Sequence, residues 1–120
     1  MVGTKTPRNF IMTHRILITP LANQDIDAHV NYLRVYNEKA AFRLFDSIRL
    51  TLTQIAKIPK IGVSYPLQNS RLAGLRKWPI KDFSNYIIFY LEKPEQIEVV
   101  CILHGARDIR FVLDNYSSLD

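Results

Sequence analysis

Cysteine is almost absent from these 120 residues. Cys101 stands alone inside an apolar run, so an internal disulfide is excluded and a Cys-rich metal site has no ligands. His14 and His29 sit far apart in sequence with no second ligand at i+4, and no metal site is expected. Glycine and proline are sparse, at 4 and 6 residues, which removes collagen-like, linker-like and disordered readings. Long hydrophobic runs are missing too. Stretches such as Ile87 to Leu91 and Val99 to Leu103 reach about a quarter of the roughly 20 residues a bilayer-spanning helix needs. There is no secretory apolar region, no P-loop, no dinucleotide fingerprint and no nucleophile elbow. The expectation is one soluble, cytoplasmic domain without a cofactor or membrane association.

Charge is where the chain departs from the ordinary. Sixteen Lys and Arg against eleven Asp and Glu give a formal +5. Lys60, Arg71, Arg76, Lys77 and Lys81 fall in a stretch that contains no acid, and residues 1–24 are also acid-free. A basic segment attracts polyanions, either nucleic acid or an acidic protein, although a solvated positive face is the plainer reading.

Residues 1–13 show no periodicity and are expected to be a loosely ordered extension. Met12 stands just ahead of the first strand-like run as a possible natural initiator, with residues 1–11 upstream of it. Residues 14–116 form the expected single domain and 117–120 a tail. Arg15 to Thr19 is a β-branched run that predicts a strand. Thr19-Pro20 supplies an N-cap hydroxyl and a proline at the first helical position. Ala22, Ile26, Val30 and Leu33 then repeat on one helical face, with Asp25 and Asp27 expected near the positive end of the helix dipole. Asn37 breaks that helix. A second is expected from Glu38 to Ile58, with Ala41, Phe45, Ile48, Leu52 and Ile55 buried, folding back on the first as a hairpin. Leu75 to Ile80, Phe83 to Glu92 and Ile97 to Leu103 predict a three-stranded antiparallel meander. Its two later strands lack apolar alternation, so both of their faces should be covered, one by the helices and the other by a short helix within Arg107 to Leu113. The fold class is α+β, in the order βααβββ(α).

That order, with Thr19-Pro20-Leu21-Ala22, Glu38-Lys39-Ala40-Ala41, Ile58-Pro59 before Gly62, the Tyr86-Ile87-Ile88-Phe89-Tyr90 strand and His104-Gly105-Ala106-Arg107-Asp108, resembles the RelE/ParE superfamily of type II toxin–antitoxin toxins. The last two motifs look most like the ParE branch. The resemblance implies a toxin that inhibits DNA gyrase, is neutralised by a cognate ParD-like antitoxin, and meets operator DNA only through the antitoxin complex. The alternative it implies is a RelE-like ribosome-dependent mRNA endoribonuclease. A third reading is a member without toxicity that only pairs with its antitoxin as an autorepressor.

A metal-free ribonuclease needs clustered Lys, Arg, His or Tyr side chains with matched geometry. The inventory here is thin. Lys77, Tyr90 and Arg107 are the candidates if cleavage occurs, and Asp82 adds charge of the wrong sign. Arg76, Lys77, Lys81, His104 and Arg107 are therefore read as target-binding residues, with no catalytic residue assigned. If the meander forms, Lys77 and the His104–Arg107 corner are expected on one concave surface. Trp78 next to Pro79 reads as a strand-edge anchor, or as a base-stacking ring between cations.

Overall fold

The computed structural model describes residues 13–105 and 109–116. The expected extension (all but Thr13), Arg107 and the tail at 117–120 lie outside the described residues. Strand β1 (Arg15–Ile18) leads through Thr19 into helix α1 (Pro20–Tyr36). The Thr19 hydroxyl accepts from the Ala22 amide at 3.1 Å and donates to the Val100 carbonyl at 2.9 Å, so one side chain caps the helix and fastens it to the sheet. Asn37 alone joins α1 to α2 (Glu38–Lys57). Its amide closes α1 on the Leu33 carbonyl, and its side-chain oxygen accepts from the Ala40 amide to open α2.

Tight 3-10 turns at Pro59–Ile61 and Ser70–Leu72 flank the short strand β2 (Val63–Ser64). Strands β3 (Arg76–Ile80), β4 (Phe83–Lys93) and β5 (Gln96–His104) follow, then helix α3 (Ile109–Asp114). The sheet order is β1-β5-β4-β3-β2. The meander is antiparallel as expected, and β1 adds to β5 in parallel, so the five-stranded sheet is mixed.

Both sheet faces are covered, which is why the central strands read as unbroken apolar runs. Ile80, Tyr86, Ile88, Tyr90, Ile97, Val99 and Ile102 pack under the hairpin residues Ala22, Ile26, Val30, Ala41, Leu44, Ile48, Leu52 and Ile55. The opposite face buries Phe89, Leu91, Val100 and Cys101 against Leu72, Leu75 and Leu113 of α3. A register shift where Tyr90 pairs with Val99, and Phe89 with Cys101, leaves Val100 without an opposite residue. That bulge interrupts the alternation and places Val100 and Cys101 together on the α3 side.

Two expectations change. Phe45 is 52% exposed and Leu44 takes its place in the core. At about 100° per residue, Leu44, Ile48 and Ile55 centre the buried stripe, and Phe45 falls on its flank. No acid lies in the first turn of α1. Asp25 bonds to β5 instead of to the helix terminus.

Candidate functional site: the cationic edges of the meander

Strand alternation settles where the basic side chains go. Arg76 and Lys77 are consecutive and point to opposite faces of β3. Arg76 stands opposite Tyr90, and its guanidinium donates to the Gly62 carbonyl at 2.7 Å. Lys77 stands opposite Phe89 on the α3 side, its ammonium 5.2 Å from the centroid of the Tyr65 ring. Lys81 occupies the β3–β4 turn, where Asp82 adopts φ 66. Its amide donates to the Thr51 hydroxyl at 3.0 Å, and its exposed ammonium lies 3.5 Å from the Asp82 carboxylate. His104 ends β5 opposite Tyr86, with ring centroids 4.4 Å apart.

These residues do not form one patch. Tyr86 and Phe89 are three apart on β4 and face opposite sides, so their partners His104 and Lys77 do too. The expected concave surface shared by Lys77 and the His104 end of the corner is therefore not formed. Arg107 lies outside the described residues.

Tyr90 is fully buried. Its hydroxyl donates to the Pro59 carbonyl at 2.6 Å and accepts from the Gly62 amide at 2.9 Å. Burial raises its pKa against the pull of the Gly62 bond and Arg76. A phenol held this way staples the turn that follows α2 to the sheet and cannot reach a substrate. Gly62 is required by the same contact, since a Cβ there would sit 2.6 Å from the Tyr90 oxygen. Trp78 is a strand-edge anchor: its indole donates to Gln54 of α2 at 3.3 Å, and the β3–β4 register shifts at Pro79/Ile80.

Sequence reasoning missed a clamp on β5. Beyond Val99, β1 no longer pairs with β5, and α1 takes over that edge. Asp25 accepts from the Ile102 amide at 2.9 Å, and His29 Nε2 lies 2.7 Å from the Ile102 carbonyl. The His29 ring also meets Tyr86 edge-on at 5.0 Å, joining the clamp to the His104 corner. Desolvation raises the Asp25 pKa, opposed by the Ile102 bond and by His29. The signal was present, because Asp25 and His29 each precede a core residue, Ile26 and Val30, at the same four-residue spacing.

A separate feature lies on the hairpin. Val30, Arg34, Glu38, Ala41, Phe42 and Phe45 line a cleft of about 220 Å³ between the two helices. Phe42 is 70% exposed beside it. Among the described residues no group of three or more His, Cys, Asp or Glu could hold a metal ion, and no helix is long and apolar enough to cross a membrane.

The sequence profile of the ParE toxin of the type II toxin–antitoxin system parDE matches residues 16–109. The chain belongs to the ParE toxin family. It is the toxin of a type II toxin–antitoxin system. A chain of the chromosomal ParDE system from P. aeruginosa shares the ParE-like fold at a TM-score of 0.63, over 78% of this chain and 97% of that one. Sequence identity between the two is 16%, so that likeness is one of fold alone. No curated protein matches the sequence.

Proposed function

We propose that this ParE-family chain inhibits DNA gyrase by binding it, without breaking covalent bonds, and is held inactive by a cognate ParD-like antitoxin. The observation that carries the non-catalytic reading is the dispersal of the candidate catalytic groups. Tyr90 is sealed in the core with its hydroxyl doubly bonded, and Lys77 faces away from His104. Acid–base cleavage of a phosphodiester needs such groups to converge within hydrogen-bond reach of one phosphate. Target binding uses Lys77, Lys81, His104 and Arg107, with Arg76 supporting the β3 edge through Gly62. Operator DNA is reached through the antitoxin complex.

The hairpin cleft is the antitoxin seat in this reading. Phe42 and Phe45 offer an apolar floor and wall, and Arg34 and Glu38 give the rim one charge of each sign. An amphipathic helix laid in this groove would bury the exposed phenylalanines.

Induced expression without antitoxin arrests bacterial growth on this reading, and the purified chain inhibits gyrase supercoiling. Cleavage of ribosome-bound mRNA with gyrase unaffected would replace it with the RelE-like endoribonuclease. Normal growth on induction would leave only a partner in an autorepressor complex.

A further inference from the structure

We infer that the α3 side of the sheet carries a binding site for single-stranded nucleic acid, built from Lys77, Tyr65 and Arg110. Three separate elements converge there. Lys77 comes from β3, Tyr65 from the segment after β2, and Arg110 from α3. The Lys77 ammonium lies 5.2 Å from the Tyr65 ring centroid and the Arg110 guanidinium carbon 5.7 Å from it. The ring is fixed from below by edge-on contact with buried Phe89 at 5.4 Å, and its backbone amide is bonded to the Leu75 carbonyl. It is a rigid pillar holding two cations, not a free surface tyrosine.

The two cations have no carboxylate partner among the described residues. Among the described residues the ion pairs are Arg49 with Asp46, Lys60 with Glu92 and Lys81 with Asp82, so neither Lys77 nor Arg110 faces a carboxylate. Lys77 is thereby unlike Lys60, Arg76 and Lys81 of the same acid-free stretch, each of which has a carboxylate or carbonyl partner. Two like charges beside one ring repel each other, and the negative face of the ring offsets only part of that. An oxyanion contacting both offsets the rest.

Phosphodiester fits better than carboxylate because of Arg110. Its side chain is exposed, and a guanidinium plane is a stacking surface for an unpaired base as well as a phosphate donor. Cations interleaved with aromatics are the general means of holding a single strand. An acidic peptide would use the charges and leave the plane unused. Binding alone is assigned to this site, with no scission. It shares Lys77 with the gyrase-binding reading but does not rest on it, and it gives the toxin a nucleic-acid contact of its own, separate from the antitoxin complex.

Fluorescence anisotropy of the purified full-length chain with a labelled oligodeoxythymidine, across a salt series and without gyrase, tests the inference. Log affinity should fall linearly with log salt, and Lys77→Ala and Arg110→Ala should each flatten the slope by about 0.7. Arg110→Lys should keep the slope and still lose affinity, since it retains the charge and removes the plane. Lys39→Ala on the hairpin should match wild type, and melting temperatures should be unchanged throughout. The inference is overturned if the wild type binds no strand at low salt or if neither slope changes. It is also overturned if a polyglutamate peptide binds more tightly than the oligonucleotide at equal length. Because gyrase is absent, a supercoiling assay that fails leaves this result standing, and the reverse also holds.

Discussion

The two faces of the sheet are finished in different ways. One lies under α1 and α2, thirty-seven residues of helix interrupted only by Asn37. The other lies under loop segments and the six-residue α3, which seats one fully buried side chain, Leu113. On the first face the polar bonds tie helix to sheet: Thr19 to Val100, Asp25 and His29 to Ile102, Thr51 to the Lys81 amide, Trp78 to Gln54. On the second, Asn69 holds the end of α3 by donating to the Leu113 and Tyr116 carbonyls. The difference teaches that the hairpin face holds the fold, while the thinner α3 face carries two cations, Lys77 and Arg110, with no carboxylate partner among the described residues. Most of the helix-to-sheet packing thus lies on one side of a small sheet, and the Lys77–Tyr65–Arg110 cluster lies on the other.

Leu44→Ala should break the hairpin face most severely. Removing a fully buried leucine costs about 2–5 kcal/mol, whereas half-exposed Phe45→Ala should cost under about 1 kcal/mol. Urea unfolding midpoints of the two variants measure the contrast, and equal losses would put Phe45 back in the core. Next in size, Gly62→Ala forces a Cβ against the Tyr90 ring and the Lys77 carbonyl, and should cost about 1–3 kcal/mol. Tyr90→Phe relieves no clash but strands the Pro59 carbonyl and Gly62 amide, at about 1–3 kcal/mol in the same assay.

On the α3 face the expected effect is local. Cys101 is fully buried there, and burial pushes its thiol pKa far up, so it should resist thiol reagents in the native chain. Leu113→Ala should loosen α3 and speed labelling of Cys101 at least severalfold under native conditions. Unchanged labelling would show that the sheet alone protects the thiol.

The smallest effect concerns the clamp. The folded Asp25 pKa is raised above its ordinary 3.8, so the folded state holds that proton more tightly than the unfolded chain. The associated stability is complete below pH 3.8 and is lost as pH rises through the raised folded value. Asp25→Asn keeps an oxygen for the Ile102 amide and removes the titration. The stability of wild type minus that of the variant should therefore fall across this window and be flat above it. A difference independent of pH would mean that the carboxyl does not titrate differently on folding.

Most of the architecture was legible because it rests on local chemistry. Thr19-Pro20 starts α1, Asn37 ends one helix and begins the next, and the unalternating runs at β4 and β5 required two covered faces. The parallel pairing of β1 with β5 was not legible, because a four-residue strand carries no mark of its partner. Phe45 was misplaced because it sits one position beyond the true stripe, and periodicity tolerates that error. The candidate site was harder to read. Adjacent bases in a sequence look like a cluster, but on a strand they part to opposite faces, as Arg76 and Lys77 do. Tyr65 gave no warning of its role, since the cations beside it come from residues 77 and 110.

The separation of the hairpin cleft from the cationic target-binding residues is tested most directly by one supercoiling titration with purified gyrase, comparing wild type, Phe42→Ala/Phe45→Ala and Lys77→Ala/Lys81→Ala. The hairpin double variant should inhibit like wild type, because its lost side chains lie in the proposed antitoxin seat and not in the proposed target-binding set. The lysine double variant should need several times more protein for the same inhibition. Full potency in the lysine variant together with lost potency in the hairpin variant would contradict the account.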